Sequence, residues 1–127
     1  MCKDNTRVLV VDDELIIAHQ VCQFLKLFGY HPLTPVTSGS EAIKVVQEQQ
    51  PDIIFIDISL VGEMNGIQAA LKIRQFHDVP IVFITGYSGS EIVNRAQQAN
   101  PAAILEKPIH AEQIRAVVEQ IVKRGEC

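Results

Sequence analysis

Four short apolar runs with no polar interruption constrain this chain more than any other feature: Val8-Leu9-Val10-Val11, Ile53-Ile54-Phe55-Ile56, Ile81-Val82-Phe83-Ile84 and Ala102-Ala103-Ile104-Leu105. None shows the apolar and polar alternation of a strand with one wet face, so each reads as a strand covered on both sides. Longer stretches with apolar residues at three- and four-residue spacing separate them, the mark of amphipathic helices. Alternation of the two patterns builds a parallel sheet with helices on both faces.

Helix one is expected after Glu14, with Leu15, Ala18, Val21, Cys22, Leu25 and Phe28 on its apolar stripe and Gly29 as its stop. Pro32 and Pro35 restrict any strand between Tyr30 and Val36 to a short piece at a sheet edge, because proline cannot donate to a ladder. Ser38-Gly39-Ser40-Glu41 opens a helix carrying Ala42, Ile43, Val45 and Val46, closed by Pro51. Asn65 or a neighbour caps a third helix with Ile67, Ala70, Leu71 and Arg74 at helical spacing. A fourth, from about Ser90 to Gln98, is the least apolar and should pack most loosely. The last carries Ile114, Val117, Val118 and Ile121 on one stripe, with Lys123 and Arg124 at the end where the helix dipole favours cations. Five βα units result. Right-handed crossovers, with the weakest strand at an edge, make 2-1-3-4-5 the natural strand order.

The carboxyl ends of parallel strands lie along one edge of the sheet, where such folds bind ligands. The residues that end the four runs therefore converge: Asp12-Asp13-Glu14, Asp57, Thr85 and Glu106-Lys107-Pro108. Three carboxylates at adjacent strand ends repel one another unless a cation or protons neutralise them. Magnesium, which takes oxygen ligands and keeps several waters, suits one or two carboxylates, a backbone carbonyl from the loop after Asp57 and a phosphate oxygen. Asp12-Asp13 also reads as a helix cap, and the two roles are compatible. Asp57 is placed to act as a nucleophile toward phosphorus, forming an aspartyl phosphate. Lys107 would pair with Asp57 at rest and with a phosphoryl oxygen afterwards, and the Thr85 hydroxyl would reach another phosphoryl oxygen. Aiming Lys107 into the site is compatible with a cis peptide to Pro108, an isomer that sequence leaves open. Gly86 leaves room beside the reaction centre.

The 127 residues make one domain, and 47% hydrophobic content suffices for a core without disulfides. A net charge of -4 with dispersed Lys and Arg offers no field for a phosphate backbone, so nucleic acid is not an expected partner. The first residues lack the apolar region of a signal peptide and no run approaches a membrane span, so a soluble, cytoplasmic protein is expected. Cys2, Cys22 and Cys127 have no metal-ligand spacing; Cys22 reads as a core residue and the others as free thiols. His19, His31, His77 and His110 read as surface or packing residues.

In order along the chain, an acidic pair after strand one, Asp after strand three, Thr after strand four and Lys-Pro after strand five resemble the receiver domain of two-component response regulators, CheY-like in type, over essentially the whole length. The resemblance implies a flavodoxin-like, doubly wound (βα)5 sandwich, with residues 1–127 forming a single receiver without an output domain. It implies that Asp12, Asp13 and Asp57 hold Mg2+, with Mn2+ able to substitute, and that the Ser59 carbonyl adds a further protein ligand. It makes Asp57 the acceptor of a phosphoryl group from a sensor histidine kinase or histidine phosphotransfer protein, with Thr85 and Lys107 contacting that group. The chain would catalyse its own Mg2+-dependent phosphorylation and dephosphorylation without being an enzyme toward a separate substrate. Phosphorylation would change a surface around helix four, strand five and helix five for a downstream protein, the chain being a monomer or a phosphorylation-dependent dimer.

Two positions depart from the family pattern. Ile104 stands where the family often has Tyr or Phe, so an aromatic-rotation switch is not expected. The loop from Ser59 to Gly66 lacks a common proline and is one residue longer. Ser59 and Tyr87, each two residues beyond a site residue, are expected to tune the lifetime of the aspartyl phosphate. An Asp-nucleophile phosphatase of the haloacid dehalogenase type is disfavoured because Ser59 occupies the place of its usual acid, and there is no room for a cap. A phosphorylation-independent interaction module is the other alternative.

Overall fold

Three of the four apolar runs are buried along their whole length as expected, whereas the fourth, Ala102 to Leu105, lies at an edge of the sheet and is only partly covered. A computed structural model describes residues 6–86 and 89–125 of the chain. The elements in order are β1 (Arg7–Val11), α1 (Leu15–Leu27), β2 (His31–Pro32), α2 (Gly39–Gln49), β3 (Ile53–Asp57), α3 (Gly66–Arg74), β4 (Ile81–Thr85), α4 (Ser90–Gln97), β5 (Ala103–Glu106) and α5 (Ala111–Gly125). The sheet is parallel throughout, in the order β2-β1-β3-β4-β5. Expected class and strand order are both observed.

Within each central strand, successive side chains enter opposite layers. Val8, Val10, Ile53, Phe55, Val82 and Ile84 pack with Ala18, Val21, Cys22 and Leu25 of α1 and with Ile114, Val118 and Ile121 of α5. Leu9, Val11, Ile54, Ile56, Ile81 and Phe83 pack on the other side with α2, α3 and Ala96 of α4. Two apolar layers explain why no alternation is visible in these runs. Cys22 is a core residue as expected, and burial pushes its thiol pKa up.

Several boundaries were decided by local backbone chemistry. Gly29 ends α1 with a φ of 92°, a left-handed conformation that glycine adopts without a Cβ penalty. As expected, α2 ends just before Pro51, with Gln50, left-handed at φ 47°, as its C-cap. Ser38 accepts the Glu41 N–H at the start of α2, and Asn65 with Gln68 forms a reciprocal capping box on α3. β2 is reduced to two residues at the edge, extended only by a bridge between Val11 and Val36.

The helical stripes differ in detail from their spacing. Leu15 in α1 is 48% exposed, and in α3 the buried positions are Ala69 and Ile73 as well as Ile67 and Ala70, whereas Leu71 faces outward. Helix α4 buries only Ala96 and lacks a side-chain cap at Gly89, in keeping with its polar composition. Its C-terminal end is tied down by Arg74, whose guanidinium bonds the carbonyls of Val79, Ala99 (3.0 Å) and Asn100 (3.0 Å). Tyr87, Cys2 and Cys127 lie outside the described residues.

Candidate functional site

The parallel register sets the strand ends side by side: Val11 opposite Ile56, Asp57 opposite Ile84 and Thr85 opposite Glu106. Asp12 follows β1, Asp57 and Thr85 end β3 and β4, and Lys107 follows β5. The Lys107 N–H donates to the Thr85 carbonyl at 2.8 Å, which carries the last strand pairing into the site. The Lys107–Pro108 peptide is cis.

Asp12 and Asp57 are oriented in the same way. Each offers Oδ1 to the N–H two residues on, Asp12 to Glu14 and Asp57 to Ser59, both at 2.9 Å. These Asx-type turns fix the carboxylates at the points where the chain leaves the sheet. The cap of α1 is therefore Glu14 by backbone position, with Asp12 serving the turn before it. Asp12, Asp57 and Thr85 are buried, and Asp13 is half-buried. Ser59 is exposed and supplies its N–H to Asp57.

Carboxylate oxygens of Asp12, Asp13 and Asp57 all lie within 4.8 Å of one another. Lys107 Nζ is 3.1 Å from Asp57 Oδ2, 3.7 Å from Asp12 Oδ2 and 3.6 Å from Glu14 Oε1. Asp12 Oδ2 is buried and has no hydrogen-bond partner. Burial pushes the Asp12 carboxyl up to about 6 against the pull of the Glu14 N–H; Asp57 and Asp13 add upward pressure and Lys107 opposes it. Burial lowers the Lys107 pKa, but its hydrogen bond to Asp57 and the charges of Asp57, Asp12 and Glu14 outweigh that and hold the ammonium above its ordinary value. Among the described residues, one ammonium thus serves three carboxylates.

An orphaned, buried oxygen within a cluster of hard oxygen donors fits a divalent cation. Mg2+ would be held by Asp12, Asp13 and Asp57, and the remaining positions are of the kind that water and a backbone carbonyl fill. A Cβ on Gly86 would meet nothing within 4 Å, so the expected room beside Thr85 is present. Ile104 packs inward against the α4-side core and shares a groove of about 420 Å³ with Thr85, Val93 and Gln97. The four histidines take no part in the carboxylate cluster.

Two contributors are given no role by the sequence. Glu14 is placed at the converging strand ends without a partner, and its carboxylate lies beside Lys107. Gly66 reads as a loop glycine, but an added Cβ would lie 2.2 Å from the Asp57 carbonyl oxygen. Nothing in their local sequence distinguishes either from an ordinary residue of its kind.

The family model described as response regulator receiver domain matches residues 8–119. Transcriptional regulatory protein PdtaR of Mycobacterium tuberculosis is 30% identical over 118 residues, which cover 93% of this chain and 57% of that protein. Transcriptional regulatory protein YvrH of Bacillus subtilis is 30% identical over 121 residues, covering 95% of this chain and 51% of its own length. The chain thus spans about half the length of the curated relatives it matches. Among solved structures, the signal receiver domain of a modulated diguanylate cyclase from Desulfovibrio desulfuricans G20 superposes with a TM-score of 0.86 at 31% identity, covering 95% of this chain and 96% of that one. The signal receiver domain of a putative Luxo repressor protein from Vibrio parahaemolyticus gives 0.86 at 26% identity, over 94% and 92%.

Proposed function

This chain belongs to the response regulator receiver domain family, and from that premise we propose that Asp57 accepts a phosphoryl group from a histidine kinase or a histidine phosphotransfer protein. The observation that carries the reading is the setting of Asp57: a buried carboxylate beside Asp12 and Asp13, with Oδ1 fixed by Ser59 and Oδ2 on Lys107. An Asp57 oxygen attacks phosphorus, the bond to the donor nitrogen breaks, and the donor imidazole leaves with the electron pair. Bound Mg2+ supplies charge neutralisation for the transferring oxygens.

The chain's own groups do the positioning. The Ser59 N–H holds one Asp57 oxygen and leaves the other to the reaction. Lys107 moves from Asp57 to a phosphoryl oxygen, and Thr85, at the end of the neighbouring strand, offers its hydroxyl to another. Thr85 lines one groove with Val93 and Gln97 of α4, so a shift at Thr85 would reshape the groove that α4 borders without an aromatic at position 104. The surface of α4, β5 and α5 would carry the signal to a partner protein. Among the described residues, no helix is long and apolar enough to cross a membrane.

The test is intact-mass spectrometry after incubation with acetyl phosphate. One labile phosphoryl group is expected with Mg2+ and none when the cation is chelated. Failure to form it with both acetyl phosphate and a phosphorylated histidine phosphotransfer protein would favour the phosphorylation-independent interaction module.

A second measurement bears on the cation. With metal chelated, Asp12→Asn is expected to raise unfolding stability by about 1–3 kcal/mol, because it removes a buried, under-partnered charge and keeps the Oδ1 acceptor for Glu14. Mg2+ at a hundred times its dissociation constant should stabilise the native chain by about 2.7 kcal/mol and the variant far less. Equal stabilisation of both chains by Mg2+ would remove Asp12 from the ligand set.

A further inference from the structure

Helices α2 and α3 are capped by the side chains of Ser38 and Asn65, but Glu14 at the start of α1 makes no side-chain cap bond. Its backbone is nonetheless held at both ends. The Glu14 N–H donates to Asp12 Oδ1 at 2.9 Å, and its carbonyl accepts the Ala18 N–H at 3.1 Å. The side chain instead reaches across the strand ends, with Oε1 3.6 Å from Lys107 Nζ.

Lys107 is paired with three carboxylates among the described residues, Asp57, Asp12 and Glu14. Two of these belong to the cluster that would hold the cation, and Glu14 stands outside it. A divalent cation entering between Asp12, Asp13 and Asp57 lies close to the Lys107 ammonium, and the like charges repel. The ammonium has to give up its share of Asp12 and Asp57, and Glu14 is the carboxylate left within its reach.

We propose that Glu14 is a positioning residue that draws Lys107 off Asp12 and Asp57 when the cation binds, keeping the ammonium at the rim where a phosphoryl oxygen can next take it. The inference rests on the reading of Asp12, Asp13 and Asp57 as a cation site. Glu14 touches neither cation nor phosphoryl group in this role and acts through Lys107. An acid serving only the α1 dipole would change helix stability and show no dependence on Lys107.

The test is a double-mutant cycle on Mg2+ affinity, measured by calorimetry on the native chain, Glu14→Gln, Lys107→Met and the double variant, each shown to be folded by circular dichroism. Glu14→Gln is expected to weaken Mg2+ binding about threefold when Lys107 is present, the size of a partly exposed ion pair. In the Lys107→Met background the same substitution should change affinity by less than about 1.5-fold. An equal loss in both backgrounds means that Glu14 acts on the cation by its own field and overturns the proposal, as does no loss in either. The Lys107 side-chain 15N resonance, recorded without metal, gives an independent reading: Glu14→Gln must shift it if the pair exists. A native chain that binds no Mg2+ defeats the cation-site reading, whereas an unshifted resonance defeats the Glu14 contact itself.

Discussion

Asp57→Asn is expected to abolish the phosphoryl adduct while leaving the fold intact. The amide has the shape of the carboxylate and keeps an oxygen for the Ser59 N–H, now 2.9 Å from Asp57 Oδ1, so the turn after β3 should persist. What it loses is the negative, nucleophilic oxygen. Leaving a buried cation unpaired is ordinarily destabilising by about 3–5 kcal/mol, but Lys107 retains Asp12 at 3.7 Å and Glu14 at 3.6 Å. Excess negative charge is also relieved, because the three clustered carboxylates outnumber the ammonium. The checks are intact mass after acetyl phosphate with Mg2+ and a thermal melt of the unmodified variant. An adduct of undiminished stoichiometry on the folded variant would move the acceptor to another residue.

Gly66→Ala should damage stability and the site together. The added Cβ would lie 2.2 Å from the Asp57 carbonyl oxygen and 2.9 Å from both the Asp57 carbonyl carbon and Ile56 Cγ2. The nearest obstacle is backbone of the central strand, so no rotamer change can relieve it. Gly66 cannot simply retreat, because its N–H donates to the Ile58 carbonyl at 2.9 Å and Asn65 beside it is locked in the capping box of α3. Overpacking of this kind costs about 1–3 kcal/mol and sometimes more; with backbone as the obstacle, a loss near 3 kcal/mol is expected. The loop that moves carries Ser59, so the Asp57 turn and Mg2+ affinity should suffer as well. Denaturant unfolding and Mg2+ titration of the same variant check both parts. A chain as stable as the native one, with unaltered Mg2+ binding, would show that the loop has slack its hydrogen bonds do not suggest.

Much of the fold was legible because burial on both faces writes itself into a strand as a continuous apolar run. Phe55 and Ile56 belong to opposite layers, yet neither layer is wet, so no polar residue marks the alternation. The site was legible for a related reason. Asp12, Asp57, Thr85 and Lys107 each sit at or just beyond the carboxyl end of such a run, and a parallel sheet brings those ends to one edge. Helical stripes were less secure: Leu71 has the spacing of a core residue and faces outward, whereas Ile73 is buried, because the roll of α3 on the sheet is set by its packing neighbours.

By itself, then, the order of residues determined the ten elements, the parallel class and the convergence of an acidic pair, an aspartate, a threonine and a lysine, since each follows from local apolar pattern and from where strands end. Tertiary structure alone decided that Glu14 faces Lys107, that Gly66 must pass under the Asp57 carbonyl, that Asp12 keeps an unsatisfied oxygen and that the Lys107–Pro108 peptide is cis. These depend on the distances between segments remote in sequence. Register and packing fix those distances, and no local pattern records them.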